Sequence, residues 1–97
     1  MKSFEKIYLF VSKIPKGKVS TYKHIAEIAG VNNPRIVGYA LHANRNPKKI
    51  PCHRVIKSDG TVAKGYAFGG EGKQKDMLLK EGIKFKNNKV DLKKYSY

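Results

Sequence analysis

The chain has 97 residues, 40% of them hydrophobic, which is enough for one domain with a modest core and excludes global disorder. Its 21 Lys and Arg against 7 Asp and Glu give a formal charge of +14; a surface of that sign repels itself and seeks a polyanion, nucleic acid first. The longest apolar run, Ile7 to Val11, falls short of the roughly 20 residues that span a bilayer and the 7 or more of a signal peptide, so neither is expected.

Residues 3–14 place Phe4, Ile7, Tyr8, Val11 and Ile14 at the spacing of an amphipathic helix, with Ser3 as its cap and Pro15 and Gly17 ending it. Ser20 or Thr21 caps a second helix to about Ala29 that buries Ile25, Ile28 and Ala29 and stops at Gly30. Pro34 opens a third helix to about Asn44 with Val37, Ala40 and Leu41 inward. Two short helices joined by a glycine-containing turn read as helix-turn-helix. Such pairs also occur in proteins that never touch DNA, and the charge is what favours DNA here. Val55-Ile56, a Ser58-Asp59-Gly60 turn and Thr61-Val62-Ala63 read as a minor hairpin. Gly65-Tyr66-Ala67-Phe68-Gly69-Gly70 is a loop without the Lys-Ser/Thr of a phosphate loop. Lys73 to Glu81 reads as a fourth helix burying Met77 and Leu78, and the tail as a strand or extended clasp with a frayed end. The expected fold is one domain over residues 1–97 with a tail at 86–97. It is mainly α with a minor β-hairpin, a winged helix-turn-helix DNA-binding domain.

The lone cysteine, Cys52, lies in Ile50-Pro51-Cys52-His53-Arg54-Val55. It forms no internal disulfide, which suits a reducing, cytoplasmic setting, and with three scattered histidines it makes no structural zinc site. Between Glu27 and Asp59 there is no acidic residue, while Arg35, Arg45, Lys48, Lys49, Arg54 and Lys57 all fall there. Nearby cations raise the thiolate fraction of a cysteine, so a nucleophile in a basic segment points to chemistry on a polyanion. The plainer alternative is a buried cysteine packing as a small hydrophobe. On an extended segment Cys52 and His53 point apart, so proton transfer between them requires a water relay or a kinked backbone.

Ile50-Pro51-Cys52-His53-Arg54-Val55 resembles the signature of the O6-alkylguanine-DNA alkyltransferases. Gly17-Lys18-Val19-Ser20-Thr21-Tyr22 with Ile25-Ala26 resembles the start of that family's helix-turn-helix. Arg35-Ile36-Val37-Gly38 with Ala40 is similar to its recognition helix. Asn44, Ser58-Asp59-Gly60, Gly65-Tyr66 and Leu78-Leu79-Lys80-Glu81-Gly82 complete the order, over roughly residues 4–85. The resemblance implies that Cys52 accepts the alkyl group from guanine O6, with His53 as base through a water, Glu81 holding the imidazole and Asn44 supporting the turn. It further implies that Tyr22 presses on the phosphate beside a flipped nucleotide, Arg35 fills the gap in the stack and Tyr66 donates to O6. Thr21 and Arg54 join the residues assigned to DNA.

No cofactor is implied, and each molecule acts once. The implied partner is double-stranded DNA carrying O6-alkylguanine, read from the minor groove by a monomer. The absence of a preceding domain and the segment Val90-Asp91-Leu92 with Tyr95 are also similar to the alkyltransferase-like branch. Proteins of that branch replace the acceptor cysteine, bind the lesion without removing it and flag it to nucleotide excision repair proteins. Retention of Cys52 favours transfer. Residues added near Glu71-Gly72 lengthen the pocket lid.

Overall fold

The computed structural model describes residues 3–63, 66 and 68–97, so Gly65 and Ala67 of the expected glycine-rich loop lie outside the described residues. Helix α1 (Ser3–Ser12) buries Ile7 and Val11, and Ile14 enters the core just past its last turn. Tyr8 donates its hydroxyl to Ala40 O at 2.6 Å, tying this helix to the third. Strand β1 (Ser20–Thr21) runs into α2 (Tyr22–Ala29), where Thr21 Oγ1 accepts from His24 N at 3.1 Å. Gly30 closes α2 in the left-handed region. Helix α3 (Pro34–His42) starts at Asn33, whose Oδ1 accepts from Arg35 N at 2.9 Å, and buries Val37, Ala40 and Leu41 as expected. These helices form the helix-turn-helix, with Ile7, Val11, Ile14, Ile25, Val37 and Cys52 in one shared core.

Two inward assignments fail. Ile28 is 42% exposed and Ala26 is buried instead, because the inward stripe of α2 runs through Ile25, Ala26 and Ala29 and leaves Ile28 on its flank. Phe4 is likewise exposed.

The expected hairpin between 55–56 and 61–63 does not form. Strand β2 (Val55–Ile56) pairs in parallel with β1, Ser20 against Val55 and Thr21 against Ile56. The donors that a return strand needs are taken by side chains: Thr61 N–H goes to Asp59 Oδ1 and Ala63 N–H to Gln74 Oε1, each at 2.9 Å. The minor hairpin lies later in the chain, in β3 (Phe85–Lys86) and β4 (Lys89–Val90), turned by Asn87 and Asn88 with φ of 52° and 64°. Paired positive φ values are what a two-residue turn of the right twist demands, and asparagine tolerates them.

Helix α4 (Gly70–Lys80) starts ahead of the expected Lys73, and Leu78 on it is fully buried. The tail is not frayed at its end. Asp91 caps the short α5 (Leu92–Tyr95), Tyr95 is buried, and Val19 exchanges backbone hydrogen bonds with Tyr95 and Tyr97, both at 2.9 Å. A second core of Val19, Ile56, Val62, Leu78, Ile83, Val90 and Tyr95 results, and it fastens the tail beneath the helix-turn-helix strands.

Gly60 is where the hairpin docks. Val90 N–H donates to Gly60 O at 2.8 Å, Gly60 has φ +90°, and a Cβ there would stand 2.7 Å from Val90 O. Gly60→Ala is expected to cost about 2–3 kcal/mol in urea unfolding, through backbone strain and displacement of β4. A loss under about 0.5 kcal/mol would show that the hairpin docking adds nothing.

Candidate active site

Asn44 organises the segment that carries the cysteine. Its Nδ2 donates to Ile50 O and its Oδ1 accepts from Asn46 N, both at 2.9 Å, so one buried side chain ties the two ends of the 44–50 loop. Beyond Pro51 the chain is not extended. Cys52–Arg54 form a 3-10 turn, closed by Arg54 N–H to Pro51 O at 2.9 Å. Successive side chains on such a turn diverge by about a third of a revolution, so the kinked backbone is what sets the cysteine and histidine directions.

Cys52 is only 3% exposed. Burial pushes its thiol pKa up, and hydrogen bonds from Asn44, the backbone and Tyr66 pull it only part of the way back. This corrects the expectation that the basic segment ionises the thiol. The cations of that segment are either exposed at the surface or, for Arg54, engaged elsewhere. At rest the sulfur carries its proton, so a base is needed to remove it.

His53, 5% exposed, supplies a candidate. Its Nε2 lies 2.6 Å from Glu81 Oε2. Burial raises the Glu81 pKa, but hydrogen bonds from Arg54, His53 and Gly17 N–H outweigh it and bring the carboxyl from 4.5 to about 2. At neutral pH Glu81 is therefore an acceptor only, so His53 Nε2 is the donor in this contact and Nδ1 is the ring's other nitrogen. That Nδ1 is buried and has no hydrogen-bond partner among the described residues. On the neutral tautomer that nitrogen carries the lone pair able to accept a proton.

Arg54 had been assigned to DNA, and the structure turns it inward. Its Nε and NH2 grip both oxygens of Glu81 at 2.9–3.1 Å, and NH1 donates to Ile14 O at 2.8 Å. A guanidinium forked onto a carboxylate and a helix-end carbonyl has all three of its nitrogens engaged inside the fold. It also joins α1, the Gly17 turn, the cysteine turn and the end of α4 into one cluster.

Tyr66 is buried, donates its hydroxyl to Met77 Sδ at 3.4 Å and meets the Phe68 ring edge-on at 6.0 Å. Tyr22, half-buried at the start of α2, packs on the same core. Burial, with the nearby cysteine charge, pushes both phenols up to about 12, so each stays protonated and able to donate. Thr21 serves α2 as its cap. Arg35 stands apart, exposed on α3. Cys52, His53, Glu81, Asn44 and Tyr66 are thus brought together, whereas Thr21, Tyr22 and Arg35 border the helix-turn-helix surface.

Two participants went unread in the sequence. Gln74 is fully buried and donates to His53 O at 3.0 Å and Val55 O at 2.9 Å while accepting from Ala63 N. Gly17 gives its N–H to Glu81 at 3.2 Å. Gln74 lies seven residues before Glu81, the residue that caps the same helix, and that spacing was the only available signal.

Two of the concavities that border the helix pair are roomy. One, of about 510 Å³, is lined by Tyr22, Lys23, Asn32, Pro34, Lys57 and Ser58 among others; the second, of about 650 Å³, lies along α3 at Arg35, Gly38, Tyr39, His42 and Ala43. Neither is lined by Cys52. Among the described residues no helix is long and apolar enough to cross a membrane, and no cluster of three metal-binding side chains occurs.

The family described as "6-O-methylguanine DNA methyltransferase, DNA binding domain" matches residues 2–83. The chain is 43% identical over 81 residues to alkyltransferase-like protein 1 of Schizosaccharomyces pombe, covering 82% of this chain and 75% of that protein. It is 45% identical over 78 residues to the methylated-DNA–protein-cysteine methyltransferase of Pyrobaculum aerophilum, covering 80% of this chain and 51% of that one. It spans 30% of the length of a bifunctional methyltransferase/endonuclease of Picrophilus torridus to which it is 38% identical. Among solved structures, S. pombe Atl1 in complex with damaged DNA containing O6-carboxymethylguanine superposes with a TM-score of 0.86 at 37% identity, over 100% of this chain and 98% of that one.

Proposed function

The chain belongs to the family of O6-alkylguanine-DNA alkyltransferases and alkyltransferase-like proteins, and on that premise we propose that it removes the alkyl group from O6-alkylguanine in DNA by transfer to Cys52. The observation that supports transfer is the retained Cys52 beside an imidazole whose Nε2 is held by a carboxylate at 2.6 Å, leaving Nδ1 as the basic nitrogen.

In this reading α3 enters the minor groove, Tyr22 presses on the backbone, and Arg35 occupies the place of the flipped nucleotide. Extrusion is required because O6 of a stacked, paired guanine is out of reach, and it costs a few kcal/mol. The Cys52 proton passes through one water to His53 Nδ1. Sγ then attacks the alkyl carbon, the carbon–oxygen bond breaks, and its electrons go to O6, which Tyr66 supplies with a hydrogen bond or a proton. The products are S-alkylcysteine and guanine. Arg54 holds Glu81 ionised, and Glu81 holds the His53 tautomer.

A second reading, lesion sensing without transfer, has two observations in its favour: the near-complete overlap with Atl1 and the 3% exposure of a thiol whose pKa burial raises. Intact mass after exposure to a duplex containing O6-methylguanine separates the two. Transfer adds one methyl mass, mapped to Cys52, and Cys52→Ala takes up none while keeping its affinity for the lesion within about threefold. Tight lesion binding with Cys52 unmodified establishes sensing instead.

A further inference from the structure

On the outer face of α3, Arg35, Tyr39 and His42 follow one another at i, i+4 and i+7, and all three are exposed. Tyr39 is 64% exposed, an unusual place for an aromatic ring, and it makes no ring contact among the described residues. The residues beside it are small: Gly38 and Ala43 complete the lining of the cleft that contains Arg35, Tyr39 and His42. A Cβ on Gly38 would meet nothing within 4 Å. A mid-helix glycine costs about 1 kcal/mol relative to alanine, and no neighbour among the described residues requires it here. The face therefore combines a cation, a projecting ring and cleared space on either side. In a chain of charge +14 that combination suits a double helix pressed close against α3.

We propose that Tyr39 is a specificity-determining residue, which reads the minor-groove floor one to two base pairs from the damaged nucleotide. The inference rests on the proposed placement of α3 in that groove. From Arg35 to Tyr39 the helix rises about 6 Å, close to two base-pair steps of about 3.4 Å. With Arg35 at the site of the flipped nucleotide, the Tyr39 ring meets the second pair, or the first if the helix is inclined. In the minor groove A·T pairs present an open floor with only acceptor atoms, whereas G·C adds the guanine 2-amino group, which projects into the space a ring would fill. Tyr39 therefore favours lesions flanked by A·T. Inosine·C, which lacks the 2-amino group, behaves as A·T.

The test measures equilibrium affinity of the full chain carrying Cys52→Ala, so that the lesion is not consumed. The probes are duplexes with a central O6-methylguanine and A·T, G·C or inosine·C at the first and second flanking pairs. Binding is expected about five- to tenfold tighter with A·T or inosine·C than with G·C. Tyr39→Ala is expected to erase the difference and Tyr39→Phe to keep it, since the effect is one of ring volume. Equal affinity across the three flanks, or a preference that survives Tyr39→Ala, overturns the proposal. The same duplexes with unmodified guanine test the parent reading separately. A flank preference that depends on Tyr39 without any lesion preference supports the Tyr39 assignment and sinks repair.

Discussion

Glu81→Gln is expected to cost about 3–5 kcal/mol of folding stability at pH 7, a large share of what a domain of this size possesses. The carboxylate takes four protein donors at once: two nitrogens of Arg54, His53 Nε2 and Gly17 N–H. A carboxamide keeps one oxygen and turns an NH2 toward groups that are themselves donors, leaving the partly buried guanidinium of Arg54 without a counter-charge. The pH dependence has a definite sign. The folded pKa of Glu81 lies below the ordinary value of 4.5, at about 2, so its stabilisation is present above pH 4.5 and is lost as pH falls from there toward 2. Because solvent still reaches the edge of the group, the swing is about 2 kcal/mol, less than the shift alone implies. Urea unfolding at pH 7 and pH 3 is the check: wild type weakens in acid through this group, and Glu81→Gln lacks that component. A variant within about 1 kcal/mol of wild type at pH 7 would show that the cluster is not what joins these elements. Methyl transfer to Cys52 is expected to slow by about a hundredfold or more in the same variant, since the imidazole loses the group that sets its tautomer.

The cluster also bears on how a thiol this well buried is activated. Positive charge along the sequence near Cys52 does not translate into a positive field at the sulfur, because Arg54 is neutralised by Glu81 and the lysines face water. In the proposed reading activation is left to proton removal by His53, and Arg54 contributes at one remove by keeping Glu81 charged. Basic residues in the segment thus divide into two kinds, those that serve the surface and one that serves the interior.

That division marks the limit of what the sequence discloses. Helices α1 to α3 were legible because a 3.6-residue apolar period, a Thr or Asn cap and a Gly or Pro terminus agree at each of them. Cys52, His53, Asn44, Tyr66 and Glu81 were legible together only through the resemblance to the alkyltransferase family, and the structure gathers them around one turn. The direction of Arg54 was not, since a charge on a short loop points wherever its partner lies, and that partner is 27 residues away. The sheet was illegible for a related reason. Two-residue strands carry no period, and β2 took β1 as its partner once Asp59 and Gln74 had occupied the donors of 61 and 63. The start of α4 was misplaced because Gly70 and Gly72 carry no propensity signal for a helix.

Gln74→Met is the other substitution expected to be severe, at about 3–4 kcal/mol, although it lies on a helix that reads as polar and solvated. Methionine keeps the volume and helix propensity but makes none of the three hydrogen bonds. Ala63 N, His53 O and Val55 O are then left without the partner that Gln74 supplies, at about 1–3 kcal/mol for each group that water cannot reach. The loss is directional as well as energetic. Gln74 binds the carbonyl of His53 itself, so its removal frees the backbone that aims the imidazole; Ala63, also released, leads into the segment that bears Tyr66. Transfer to Cys52 is therefore expected to fall by more than the unfolded fraction explains, when measured on protein shown by near-ultraviolet circular dichroism to be folded. Gln74→Glu separates the two effects: it retains an acceptor for Ala63 N but loses the donor to His53 O and Val55 O. If Gln74→Met unfolds no more easily than a surface control and transfers at the wild-type rate, the buried amide is not what holds the cysteine turn against α4.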